Sequence, residues 1–196
     1  MVGICTFASC LINDDFLDRA PVLWIIFSGL YRGAVFPILL LMEQEQIQLF
    51  TIIRDQSRTL VTGRDETTLL KAVPGLANNM LWIFGHLIRT TDFLILKLSG
   101  HAMNFPADLD PYFAKGSSPA DWKSSDGLKD RLLAAEEQCQ KKVLAFLETA
   151  DASAFAEPYK TSSGFVLSSV KESLRYNVVH EGIHLGQLQL FNKLVG

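Results

Sequence analysis

The chain has 196 residues, 48% hydrophobic and 20% charged, with a net charge of −3. That length and apolar content give one domain with a sizeable core and exclude an intrinsically disordered chain. Lys and Arg are scattered without a basic stripe, which argues against nucleic acid as a partner, and Cys5, Cys10 and Cys139 form no disulfide framework, which suits a reducing, cytoplasmic compartment.

Residues 1–41 stand apart. The run "PVLWIIFSGLYRGAVFPILLLM", Pro21–Met42, is strongly apolar, but Arg32 falls in its middle and Pro21 and Pro37 bracket it. A membrane span needs about 20 uninterrupted apolar residues. The leader carries Asp14, Asp15 and Asp18 against Arg19, the reverse of a signal peptide. The segment is read as a hydrophobic extension, either loosely docked or the product of a start upstream of Met42, rather than as a membrane anchor.

The remainder, 42–196, reads as four long helices. Met42–Val61 places Ile47, Phe50, Ile53 and Leu60 near one face and ends at Thr62-Gly63. A short helical piece follows around Thr67–Val73, closed by Pro74-Gly75. The second long helix is capped by Asn78 or Asn79 and stopped by Ser99-Gly100, and its apolar residues wrap most of its circumference. Residues 101–124 hold three prolines and no clear period, a loop long enough to suggest function. The third helix, Ser125–Ala150, turns Leu128, Leu132, Leu133, Val143 and Leu147 inward. After a connection at 151–162 the fourth helix runs from Ser163, with Val166, Val170, Leu174 and Val178 along one side. No strand alternation stands out. The expected fold class is all-α, a four-helix bundle with long crossover connections.

Near the end of the fourth helix lies "HEGIHLGQLQLF". His180 and His184 are one helical turn apart, so both rings leave the same face and could share one ion. The string H-E-x-x-H is also that of zinc proteases, whose further ligand comes downstream. Here Gln187 and Leu190 stand where a Gly and a His would extend that motif, and no later residue is His, Cys, Asp or Glu. A third ligand must therefore come from upstream. His86 lies mid-helix in "LWIFGHLIRTTDF" and can face another helix inside a bundle. His101 lies past the Gly100 stop, about 22 Å further along if the helix continued, and is read as a loop residue. The metal ligands expected are His86, His180 and His184. Glu181 points about 100° away from His180, either as a base or as a partner for a neighbouring helix. Gln187 lies two turns from His180 on nearly the same face and could orient a ligand. Arg89 and Tyr176, each near one turn from a ligand, are candidate substrate contacts, and Trp82 is expected in the core.

The stretches "NNMLWIFGHLIRTTDF" and "HEGIHLGQLQLF" together resemble the DinB/YfiT-like superfamily over about Met42–Gly196. The resemblance implies a four-helix bundle with a three-histidine divalent metal site, one histidine from the second helix and two from the fourth. It implies a metal-dependent thiol S-transferase of stress or detoxification metabolism, acting on a small molecule with a low-molecular-weight thiol, and a homodimer. Alternatives are a non-catalytic metal-binding dimer and a hydrolase using metal-activated water. Glu181 and Gln187 are the candidate catalytic residues. Nitrogen-only ligation leaves zinc, nickel, copper or ferrous iron open. Residues 1–41 depart from the family pattern.

Overall fold

A computed structural model of the chain describes residues 44–149 and 154–195. The chain divides after Met42, and every described element belongs to the unit Glu43–Gly196. The expectations for the extension 1–41 lie outside the described residues. No helix among the described residues is long and apolar enough to cross a membrane.

The first helix, α1, spans 44–62. Phe50, Arg54, Ser57 and Val61 are buried on it at helical spacing, so its inward face carries an arginine as well as apolar groups. A short helix, α2 (Glu66–Leu70), is capped by Asp65, whose Oδ1 accepts from the Thr68 amide at 2.8 Å. Glu66 accepts from the amides of Gly127 and Lys129 at 3.1 and 2.8 Å, and so satisfies otherwise unpaired donors where the third long helix begins.

Helix α3 (Met80–Asp92) starts at Asn79, whose side chain accepts from the Trp82 amide at 2.8 Å. It continues as a π-helical turn, Phe93–Lys97, and ends where Gly100 adopts φ 82°, a conformation that costs glycine nothing. Ten of its residues from Met80 to Asp92 are buried, which makes it the central element. It packs on α5 (Leu128–Thr149) and on α6 (Val170–Val195).

The long connection from α3 to α5 is ordered. It contains a short helix, α4 (Asp110–Phe113), and a 3-10 turn, Pro119–Asp121. Fully buried Asp92 accepts from the amides of Asn104 and Phe105 at 2.6 and 3.0 Å. That carboxylate ties the start of the connection to the end of α3.

One expectation is corrected. Residues Ala154–Lys160 (β1) and Val166–Ser169 (β2) pair as an antiparallel hairpin, so α6 begins at Val170 rather than Ser163. Lys160 faces Val166 and Tyr159 faces Leu167, with an irregularity between Ala154 and Tyr159, next to Pro158. Most of β1 is exposed on both faces, so it carries no alternating pattern to read. The described chain is therefore mostly helical, with four long helices and one hairpin.

Candidate metal centre

His86 on α3 and His180 and His184 on α6 come together. Each offers one ring nitrogen, and the three nitrogens lie within 4.8 Å of one another. The His86 centroid is 5.4 Å from that of His180 and 5.2 Å from that of His184; the α6 pair is 4.5 Å apart. No other such group of His, Cys, Asp or Glu occurs among the described residues. His101 is not part of the cluster. It is exposed, with its ring against Phe146 at 4.9 Å.

The surroundings fix which nitrogens are free. His86 Nδ1 lies 3.0 Å from the Phe113 carbonyl, so it carries the proton and donates, leaving Nε2 with its lone pair. His184 Nδ1 lies 2.7 Å from Gln187 Oε1, which sets the same tautomer. His180 Nδ1 is buried with no hydrogen-bond partner, a costly state for a polar atom. Burial lowers the pKa of His86 to about 4 and of His180 to about 3, with the neighbouring histidines adding to the effect. His184 is lowered as well, chiefly by burial. Three neutral imidazoles, two oriented by acceptors on their far nitrogens and one with an orphaned buried nitrogen, fit a divalent cation.

The connection after α3 builds part of this centre. Phe113 is fully buried, and its ring lies where a side chain at Gly85 would be. A Cβ on Gly85 would come within 2.4 Å of that ring. The Gly85-His86 pair thus lets Phe113 approach closely enough for its carbonyl to reach His86. Trp82, one turn earlier, is buried and stacks on His86 with centroids 4.7 Å apart and planes 9° apart. Its Nε1 donates to Ser117 Oγ at 3.0 Å, a second tie to the same connection.

Glu181 is placed away from the opening. It is fully buried, and Arg54 of α1 forms an ion pair with it, with Nε 3.1 Å from Oε2. Thr91 Oγ1 is 2.9 Å from Glu181 Oε1, and Arg54 also donates to the Leu87 carbonyl and to Thr91. Burial alone would lower the arginine's pKa, but Glu181 and the more distant Glu136 more than offset this and raise it. Arg54 is a partner that composition does not name. Its signal was its register, because a cation on the buried face of α1 requires an acid across the core.

A depression of about 360 Å³ opens beside His86 and His180. Arg89, Thr90 and Phe93 of α3, Lys115 of the connection, Tyr159 of β1 and Tyr176 of α6 line it. Arg89 is itself paired with Asp110 at 2.9 Å. Tyr176 stacks on His180 with centroids 6.2 Å apart. Cys139, the one cysteine among the described residues, is buried on α5, and burial with Asp92 nearby pushes its thiol up to about 12. It offers no thiolate to this site.

A comparison with solved structures finds a similar fold in a conserved protein from Enterococcus faecalis, at a TM-score of 0.55 and 12% identity. The match covers 78% of this chain and 95% of that one. A comparison with curated proteins finds no match. The family model for the DinB superfamily matches residues 49–188, a span that contains all three histidines and most of the described helices. The chain belongs to the DinB superfamily.

Proposed function

We propose that this chain is a metal-dependent transferase that joins a low-molecular-weight thiol to an electrophile, as in stress or detoxification metabolism, on a four-helix bundle that works as a cytoplasmic homodimer. The observation that carries this reading is the convergence of His86, His180 and His184 beside a depression that has room for a small molecule. When bound, a divalent ion would supply a Lewis-acidic centre that favours the thiolate form of a thiol reaching it. The chain's own groups orient that centre: the Phe113 carbonyl and Gln187 hold two of the rings in register. Among the described residues the one cysteine, Cys139, is buried with its thiol far from ionising, which supports a nucleophilic sulfur brought in by the substrate. Glu181 is assigned no proton transfer, since Arg54 and Thr91 hold it in the core. Gln187 acts by positioning His184.

The test measures bound metal and then the conjugation of aryl halides to a panel of thiols. Wild type should retain divalent metal and consume thiol, and His180→Ala should lose both while keeping its helical circular dichroism. Ester hydrolysis without thiol consumption would instead support a metal-water hydrolase. A non-catalytic dimer is favoured by one observation, the exposure of Leu190 and Leu194 one turn apart on α6. Full metal occupancy with no turnover on thiols or esters would support it.

A further inference from the structure

The depression beside His86 has a neighbour, and the two share Tyr176 and His180. Their linings differ in kind. The first, at about 360 Å³, presents Lys115, Arg89 with its Asp110 partner, and several hydroxyls, with no carboxylate among its lining residues. The second, at about 540 Å³, is formed by Phe165, Val166 and Leu167 of the hairpin against Val179 and Ile183 of α6, with Glu172 and Arg175 also lining it. The hairpin turn serves both sides. Thr161 and Ser162 line the first depression, and Ser163 and Phe165 line the second.

Four large side chains here, Phe165, Val166, Val179 and Ile183, are 64%, 56%, 61% and 58% exposed. Apolar groups gathered around a concavity mark a binding surface more often than chance exposure does. An aromatic series leads from this surface to the triad. The Phe165 ring is 6.0 Å from Tyr176, which in turn stacks on His180.

We propose that the apolar depression seats the second substrate, an uncharged aryl or alkyl halide, while the cationic depression takes a thiol bearing a carboxylate. This assignment rests on the thiol-transferase reading. The sulfur of the thiol loses its proton to solvent and forms a bond to the halide-bearing carbon. The carbon–halogen bond breaks and the halide leaves as an anion, so no oxidant or reductant is required. Tyr176 and His180, common to both linings, stand where the two substrates meet.

The experiment titrates metal-loaded protein with Nile red, a neutral apolar dye, and with mercaptopropionate, an anionic thiol, with metal content measured on every sample. Val179→Glu and Ile183→Glu, both at exposed positions, should weaken dye binding by about tenfold or more and leave mercaptopropionate binding and metal content unchanged. Lys115→Glu should weaken mercaptopropionate binding by about tenfold or more and leave dye binding and metal content unchanged; mercaptopropionate affinity equal to wild type would overturn the assignment of the first depression to the anionic thiol. Dye affinity within about twofold of wild type in both α6 variants overturns the proposal, as does a fall in sedimenting mass in Val179→Glu, which would assign the face to a second copy of the chain. Wild-type protein that holds no metal or binds no mercaptopropionate sinks the thiol-transferase reading beneath it, and that failure shows independently of the dye.

Discussion

Replacing Glu181 with Gln separates a structural acid from a catalytic one. The substitution keeps the shape of the side chain and removes only its charge. In the folded chain it would leave the Arg54 guanidinium, 1% exposed, without its counterion. The Leu87 carbonyl and Thr91 hydroxyl that Arg54 also reaches, at 3.2 and 2.9 Å, are neutral and do not replace the lost charge. Breaking a buried pair from one side costs about 3–5 kcal/mol. A chain of this size loses roughly 2–4 °C of Tm per kcal/mol, so Tm should fall by about 6–20 °C. Calorimetry on the metal-loaded protein reads this directly. The double variant Arg54→Met/Glu181→Leu should recover much of the loss, because an apolar pair of similar volume needs no desolvation of charge. Metal content should stay at the wild-type level in both. If Glu181→Gln melted with wild type but lost all turnover, the assignment of Glu181 to the core would fail and a proton-transfer role would have to be restored.

Three further outcomes follow from the geometry. Gln187→Ala removes the acceptor from His184 Nδ1 and should weaken metal binding by roughly 10–100-fold, read by competition with a chromophoric chelator. Gly85→Ala forces a methyl against the buried Phe113 ring; it should cost about 1–3 kcal/mol in denaturant unfolding and also lower metal affinity, whereas a stability equal to wild type would contradict the close packing. In metal-stripped protein, His86 and His180 titrate near about 4 and about 3 when folded, below the ordinary 6.5. Between those values the unfolded chain binds more protons than the folded one. Stability is thus complete above 6.5, falls as pH drops through that window, and should fall less steeply in His180→Asn; a midpoint unchanged between neutrality and about pH 5 would refute this.

Much of the centre could be read from spacing because helices are local. The four-residue step from His180 to His184 settles which face they share, and the asparagine pair Asn78-Asn79 marks where α3 begins without any knowledge of its neighbours, the cap itself falling on Asn79. Helical rise kept His86 and His101 from serving one ion together, and the mid-helix apolar setting of His86 against the Gly100 stop before His101 decided between them. What surrounds the triad was less accessible. The acceptor on His86 is a backbone carbonyl, which no residue type announces, and Phe113 reaches it from 27 positions away. The hairpin escaped notice because β1 is exposed on both faces and irregular beside Pro158, while "SGFVLSSV" continues the apolar spacing of the helix behind it. The Arg54–Glu181 pair left a trace in register only. An arginine in line with Phe50, Ser57 and Val61 has no solvent to face.

The route by which Phe113 meets His86 has a mechanical corollary. Asp92 anchors the beginning of the 101–127 stretch, Trp82 grips Ser117 farther on, and the imidazole of His86 holds the peptide between them. Capture of a cation by that imidazole and immobilisation of this stretch are therefore linked, and thermodynamic reciprocity makes each strengthen the other. Loading the protein with metal should slow amide exchange around residues 113–117, and a proteolytic nick there should be felt as a looser hold on the ion.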